Sequence, residues 1–431
     1  MGTYRKNPLK LLLKAVPLYR SFKKAEGWSR DELEAFQLKK LQEITDYAYV
    51  HVPYYHEQYQ KTGFKPGDIK SFEDFKKLPI LDKEALRQLP SELFMSDESQ
   101  ELNIAFVKTS GSTGVPLAFA CDLTSRAANY AATFRAFNAA GYNTGNVQFI
   151  LKNFPELKNV CQYAKFSRQL LMHSYHLEDS SLEILTTFLM DHKPKHIVAH
   201  PNALLELGTR LKNVNELFSK VKGITSLAEV LTPQVRKSLE QIFHCKVYDY
   251  YSNMESSIMA YQIEDGENIF AEYFCYPEIE NPQPDDPLTG ELTTTAFYSI
   301  AMPLIRYRNK DVISLAQPTA QDTSKLLHVN SVCGRVAERV TLPSGVTIGL
   351  FSLLRADLTN VSAYQFVQTS PDSIIIDYIP INKALPINEN SMLSELASYV
   401  GQEVHVSIRP VEALQKNSAG KVPRTIIFKK Q

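Results

Sequence analysis

Cysteine is sparse in this chain. There are five, Cys121, Cys161, Cys245, Cys275 and Cys333, an odd number with no CxxC pair. Such scatter fits free thiols in a reducing compartment and argues against a disulfide framework or a closed zinc site. Long apolar runs are missing too, and none approaches the ~18 to 20 residues that span a bilayer. The N-terminus is basic but lacks the long apolar core and small-residue cleavage site of a secretion signal. The expectation is a cytoplasmic protein with no transmembrane segment. Net charge is absent as well, with 47 Lys plus Arg against 47 Asp plus Glu. No long-range field draws nucleic acid, so a general nucleic-acid-binding role is disfavoured.

What is present is globular. Hydrophobic residues make up 44% and charged residues 22%, ordinary values for a folded chain. At 431 residues two or more folding units are expected. Residues 1 to 24 carry seven cations and no acid, with leucines between them, and Pro8 and Pro17 interrupt the pattern. Two readings are open: a helix for a membrane surface or acidic partner, and a helix packed on the body with a solvated basic face. The second is preferred.

Ser29 followed by Glu32 forms a capping box ahead of Leu33, Phe36, Leu41 and Ile44 at helical spacing, which predicts a helix over 29 to 50. A further helix is expected over 124 to 141. From about 145 to 250 strand-like runs (148–151, 196–199, 226–231, 246–250) alternate with helical patterns (181–192, 203–220, 233–243), which implies βαβ units and a largely parallel sheet. After 265 short alternating runs (292–295, 336–341, 373–378, 404–408) predict antiparallel strands in a different kind of subdomain.

The strongest local signal is Lys108-Thr109-Ser110-Gly111-Ser112-Thr113-Gly114-Val115-Pro116. Two glycines allow tight turns and close approach of backbone amides, and four hydroxyls add uncharged donors, as a polyphosphate cradle requires. No Gly-Lys-Ser/Thr follows, so this is not the lysine-bearing P-loop, and taken alone such a loop is more often a surface turn than a phosphate cradle. Further along come Tyr251-Ser252-Asn253-Met254-Glu255 after an expected strand, then Arg306-Tyr307-Arg308-Asn309-Lys310-Asp311, Gly334-Arg335, and a late Ser418-Ala419-Gly420-Lys421. An aromatic, two carboxylates, an arginine and a late lysine suit stacking, metal binding, ribose recognition, phosphate contact and charge neutralisation around ATP.

With these motifs in this order, the sequence resembles the adenylate-forming superfamily of acyl-CoA synthetases, adenylation domains and luciferases. More narrowly it resembles the phenylacetate–CoA ligase family in its CapK-like branch. The resemblance covers nearly the whole chain, through Val52-Pro53-Tyr54-Tyr55, Leu78-Pro79-Ile80-Leu81-Asp82-Lys83, His200-Pro201-Asn202, Gly290-Glu291-Leu292, Pro303-Leu304-Ile305-Arg306-Tyr307-Arg308 and Ala363-Tyr364-Gln365-Phe366-Val367-Gln368. It implies an α/β fold. A large N-terminal domain (1–335) would hold mixed, mainly parallel sheets, helices and a β-rich subdomain, and a small mobile α+β domain (336–431) would carry a catalytic lysine.

The activity implied is ATP-dependent activation of a carboxylic acid as acyl-AMP, then transfer to a thiol, with CoA the default acceptor. An amine or carrier-protein acceptor, and a non-catalytic nucleotide-binding relative, remain alternatives. The resemblance assigns Thr109, Ser110, Gly111, Ser112, Thr113 and Gly114 to the β- and γ-phosphates and Tyr251, with Ser252 beside it, to the adenine. Glu255, with Thr113 as a second oxygen ligand, would bind Mg²⁺. Asp311 is assigned to the ribose hydroxyls, Arg335 to ribose or phosphate, and Lys421 to the charge between carboxylate and α-phosphate.

Departures from the family pattern are Ser252 and Met254 around the motif tyrosine, Lys310 before the ribose aspartate, and no hinge aspartate near Ala337 and Glu338. Gln262 and Ile263 stand where some relatives carry cysteines, so no zinc is expected. The aromatics Phe134, Phe137 and Tyr142 suggest an aromatic or medium apolar acid, and a homodimer is compatible with the sequence.

Overall fold

The computed structural model describes residues 8–109, 117–152, 154, 157, 159–174, 177–228, 231, 233–263, 266–282, 286–317, 325–332, 339–343, 347–349, 360–380, 382–401, 403–415 and 425–426. Among them no helix is long and apolar enough to cross a membrane.

The chain opens with a helix over Pro8–Ala25 that runs through Pro17, a proline placed on the exposed side. Its inner face (Ala15, Phe22, Ala25) joins a core shared with the helix Leu123–Ala139, while Leu9, Leu12, Leu13 and Val16 stay exposed. Glu26, just beyond its end, accepts from Arg135 (2.7 Å) and Tyr261 (2.6 Å), pinning the helix to the body. The next helix, Arg30–His51, starts at the Ser29 capping box: Glu32 N donates to Ser29 Oγ (3.2 Å) and Ser29 N to Glu32 Oε2 (2.9 Å).

A short strand, β1 (Leu81–Asp82), precedes the hairpin β2 (Ala105–Thr109) and β3 (Leu117–Cys121). An eight-stranded sheet follows, from β4 (Gln148–Lys152), β5 (Cys161–Ala164), β6 (Gln169–His173), β7 (His196–Ala199), β8 (Gly223–Leu227), β9 (Lys246–Ser252), β10 (Met259–Gln262) and β11 (Asn268–Phe270). Their order is β11-β10-β9-β8-β7-β4-β6-β5. The five central strands are parallel; β5 is antiparallel at one edge, and at the other β10 runs antiparallel to β9 and β11 antiparallel to β10. The carboxyl ends of β4, β6, β7, β8 and β9 therefore share one edge. Helices Asp179–His192, Pro201–Arg210 and Pro233–Phe243 cover one face. The helix Leu123–Ala139 covers the other.

A second sheet joins β12 (Cys275–Glu280), β13 (Thr289–Ala296), β14 (Tyr307–Leu315) and β15 (Val329–Val332), with β1 parallel to the start of β14. Toward the C-terminus lie β16 (Arg339–Thr341) and β17 (Thr347–Gly349), then β18 (Val361–Ser370), β19 (Ser373–Pro380), β20 (His405–Pro410) and β21 (Thr425–Ile426). The last four form a sheet that packs with the helix Glu389–Val400 around a core of its own, including Tyr364, Phe366, Ile374, Ile376 and Leu396.

Two expected elements are corrected. The pattern over 203–220 folds as two helices, Pro201–Arg210 and Val214–Leu217, because Leu211 turns extended and Asn213 adopts φ 55°. The strand expected at 226–231 lies at Gly223–Leu227, ended by Ala228 at φ 66°. Gly223 itself is required by close approach: a Cβ there would collide with the carbonyl oxygen of Ala140. The β5–β6 hairpin was not anticipated.

Candidate active site

At the carboxyl end of β9 the chain leaves the sheet through a turn that Asn253 closes. Its Oδ1 accepts from Ser257 N (3.0 Å) and its Nδ2 donates to Ser257 Oγ (2.7 Å), and Ser256 takes up φ 56°. The turn exposes Ser252 and Met254 and buries Glu255. Both departures from the family motif around Tyr251 are exposed, and the Ser252 side chain bonds to that of Tyr250.

Strand β14 lies opposite. Its pairing with β13 is irregular between Arg308 and Val312, and Tyr307, Asn309 and Asp311 all meet the end of β9. The Tyr307 hydroxyl donates to Glu255 Oε1 (3.1 Å), which also accepts from Lys83 Nζ (3.3 Å), both side chains of that ion pair being buried. Four residues further along β14, Tyr251 OH donates to Asp311 Oδ2 (2.7 Å). Asn309 Nδ2 donates to Tyr251 OH (2.9 Å) and to Asp311 Oδ2 (3.2 Å), and Asp311 N returns a bond to Asn309 Oδ1 (2.9 Å). Burial, then the Asp311 charge, push the Tyr251 phenol well above its ordinary range. It therefore stays a protonated donor at neutral pH.

Lys83 arrives from far away in sequence. Its segment is placed by β1, whose Leu81 and Asp82 pair with Tyr307 and Arg308. Arg306, buried and at φ 48°, holds that segment, donating to the carbonyls of Lys76 and Leu78 and pairing with Glu278 (3.0 Å) and Glu280 (2.7 Å). Arg308 reaches Asp82 (3.5 Å) and Glu291 (3.7 Å). The two arginines next to Asp311 in sequence thus serve other carboxylates, and Asp311 is held by Tyr251 and Asn309.

A magnesium ion fits this donor set. Glu255 spends Oε1 on Lys83 and Tyr307, and its Oε2 accepts no hydrogen bond among the described residues. No group of three His, Cys, Asp or Glu side chains converges among the described residues. One carboxylate, with the rest of the shell from phosphate and water, is the usual Mg²⁺ arrangement at nucleotides.

The structure brings Tyr251, Glu255 and Asp311 together where β9 meets β14. Thr109 ends β2 opposite Leu117, and the hairpin abuts the same strand through Phe119, whose ring lies 6.2 Å from that of Tyr307. Ser110, Gly111, Ser112, Thr113, Gly114, Arg335 and Lys421 lie outside the described residues, as do Ala337 and Glu338. The sequence reading gave no role to Lys83, Tyr307 or Asn309. The last two stand at alternate positions before Asp311, a signal that was available. Phe134 packs on Tyr19 (5.3 Å) and Tyr142 (5.7 Å) beside the N-terminal helix, whereas Phe137 faces Tyr250 (5.9 Å).

No protein-family model matches the chain. It is 26% identical over 318 residues to the phenylacetate-coenzyme A ligase of Aromatoleum evansii, covering 70% of this chain and 71% of that protein. The phenylacetate-coenzyme A ligase of Escherichia coli K12 matches to the same extent. Protein CapK of Staphylococcus aureus is 22% identical over 381 residues, 85% of this chain and 82% of its own. Among solved structures, 2-hydroxyisobutyryl-CoA ligase with 2-HIB-AMP and CoA in the thioesterification state superposes with a TM-score of 0.65 at 19% identity, covering 93% of this chain and 91% of that one. Its postadenylation state with R3-HIB-AMP gives 0.61 at 18% identity, covering 94% and 91%. The fold is that of the adenylate-forming ligases.

Proposed function

We infer that this chain is an AMP-forming acid–thiol ligase of the adenylate-forming superfamily, akin to phenylacetate–CoA ligase and CapK, which activates a carboxylic acid with ATP and passes the acyl group to CoA. One observation carries the reading: β14 engages both Glu255, through Tyr307, and Tyr251, through Asn309 and Asp311.

A carboxylate is a poor electrophile because its charge is delocalised and its oxygen leaves badly. Attack on the α-phosphorus of ATP forms the acyl–O–P bond as the bond to pyrophosphate breaks, and the resulting mixed anhydride has a good leaving group. In such phosphorus chemistry the protein supplies position and charge complementarity. Tyr251 is assigned to the adenine and Asp311 to the ribose hydroxyls, the phenol and Asn309 holding that carboxylate in place. Thr109 to Gly114 are assigned to the outer phosphates, and Arg335 to ribose or phosphate. Glu255, oriented by Lys83 and Tyr307, would hold Mg²⁺ together with Thr113. When bound, Mg²⁺ supplies charge neutralisation for the departing pyrophosphate. Lys421 is assigned to the charge between the acid and the α-phosphate.

The large body 1–335 would hold the nucleotide, and 336–431 would swing to exclude water and then admit the thiol. The cytoplasm, where thiols stay reduced, suits such a reaction.

The test is product analysis with ATP, Mg²⁺ and a panel of aryl, aliphatic and hydroxy acids, with and without CoA. AMP release that depends on both acid and CoA, matched by loss of free thiol, is expected. ADP as product contradicts the reading. AMP release that depends on an added amine instead of CoA assigns the chain to amide ligases.

A further inference from the structure

Lys152 ends β4, at the carboxyl edge of the parallel strands, where ligands of open α/β sheets bind. The ladder registers set it in a row across that edge. Lys152 pairs with His173 on β6, and His200 N donates to Leu151 O, carrying the ladder one step past β7. Ala199 pairs with Ser226, which sets His200 level with Leu227, and Leu227 pairs with Tyr250 on β9. Alternation places Lys152, His173 and His200 on the face of Ile150, Leu171 and Val198, the face that Phe137, Tyr142, Phe154 and Leu227 cover. The row therefore runs from a basic end, His173–Lys152–His200, to Tyr250, and the next residue is Tyr251.

Among the described residues, the lysine of this basic end has no counter-charge. Lys152 is half-buried, and among the described residues its only contact beyond backbone bonds is with the ring of Phe154, 5.2 Å from Nζ. No carboxylate among the described residues pairs with it, and burial lowers its pKa with nothing to oppose the shift. His173 and His200 beside it are buried. An ammonium taken from water without a counter-charge is costly, and a ligand anion would offset that cost.

We propose that Lys152, flanked by His173 and His200, is the specificity site for a second anionic group at the far end of the acid, so that the substrate class is a dicarboxylic acid. This rests on the carboxylate-activating reading given above. From β4 to β9 is three strand spacings, roughly 14 Å, less the reach of the lysine stem. That span suits a medium-length or aryl diacid better than a short one, and it revises the apolar acid suggested by the helix aromatics.

The test compares ATP–pyrophosphate exchange on two matched pairs, adipate against hexanoate and 4-carboxyphenylacetate against phenylacetate. The wild type is expected to favour the diacid of at least one pair by tenfold or more in kcat/KM, the discrimination a charged hydrogen bond gives. Lys152→Met should lower that diacid-to-monoacid ratio at least tenfold, and Lys152→Arg should restore part of it. A wild type that favours the monoacid in both pairs, or a methionine variant that loses both acids equally, overturns the proposal.

Binding is read separately by thermal unfolding with AMP present. Adipate or 4-carboxyphenylacetate should raise the Tm of the wild type and not that of Lys152→Met, whose own Tm should be no lower. No diacid-specific rise overturns the proposal. A rise that depends on Lys152 without exchange on any acid supports the site and counts against the ligase reading alone.

Discussion

One oxygen of Glu255 accepts from a buried ammonium and a buried phenol. This orientation leaves the second oxygen clear of the donors among the described residues. Glu255→Gln keeps the volume and an acceptor but removes the charge. It should lower pyrophosphate exchange by about 10² to 10³, the usual loss when one charge-stabilising group is removed, and saturating Mg²⁺ should not restore it. Tyr251→Phe removes the donor nearest Asp311 and leaves Asn309 in place. With about 1.5 to 3 kcal/mol expected for a hydrogen bond to a charged group, the KM for ATP should rise roughly tenfold or more while kcat changes less.

Glu255, Tyr251 and Asp311 were legible because their order along the chain matches a known pattern. Lys83 was not, since 172 residues separate it from Glu255 and no local feature announces the contact. Lys83 closes the stretch from Leu78 that carries part of the resemblance, yet only the parallel pairing of β1 with β14 reveals which groups the lysine meets.

Elements differ in how local their causes are. The capping box at Ser29 is contained within four residues, so the helix it starts was readable to within one residue at each end. The position of β8 depends on Ala228 adopting a left-handed conformation and on the close approach of Gly223 to Ala140, neither of which is written in hydrophobic spacing.

Arg306 shows the same dependence on distant parts, tying the segment before β1 to two carboxylates of β12. Arg306→Met should strand buried Glu278 and cost about 3 to 5 kcal/mol of stability. Exchange activity should fall with it because Lys83 loses its placement, and a variant that unfolds normally would contradict this role.

On β7, His196 is buried between Gln148 (2.9 Å) and Thr225 (3.0 Å), and burial depresses its pKa to about 3. Between pH 6.5 and that value the unfolded state binds a proton that the folded state does not, so stability falls as pH falls. The slope is at most about 1.4 kcal/mol per pH unit. Thermal unfolding from pH 7.5 to 4.5 should show it, and His196→Gln should flatten the curve.

At the scale of the whole molecule, two sheets meet where β9 ends against β14, and the nucleotide is assigned to that junction. The β18–β21 sheet has a core of its own, and we propose that this C-terminal body carries Lys421 to the same junction. The alternation of strands and helices made the parallel sheet legible as a class. The junction itself was legible only through resemblance, because it depends on tertiary register.

The most direct measurement of the central claim is acid-dependent ATP–pyrophosphate exchange in the wild type, Asp311→Asn, Glu255→Gln and Lys421→Ala, each paired with an ATP-binding isotherm. The account predicts exchange in the wild type, weakened ATP binding in Asp311→Asn, and a loss of about 10² to 10³ in exchange with smaller effects on binding in Glu255→Gln and Lys421→Ala. Unchanged exchange in all three variants, on an acid the wild type activates, would contradict it.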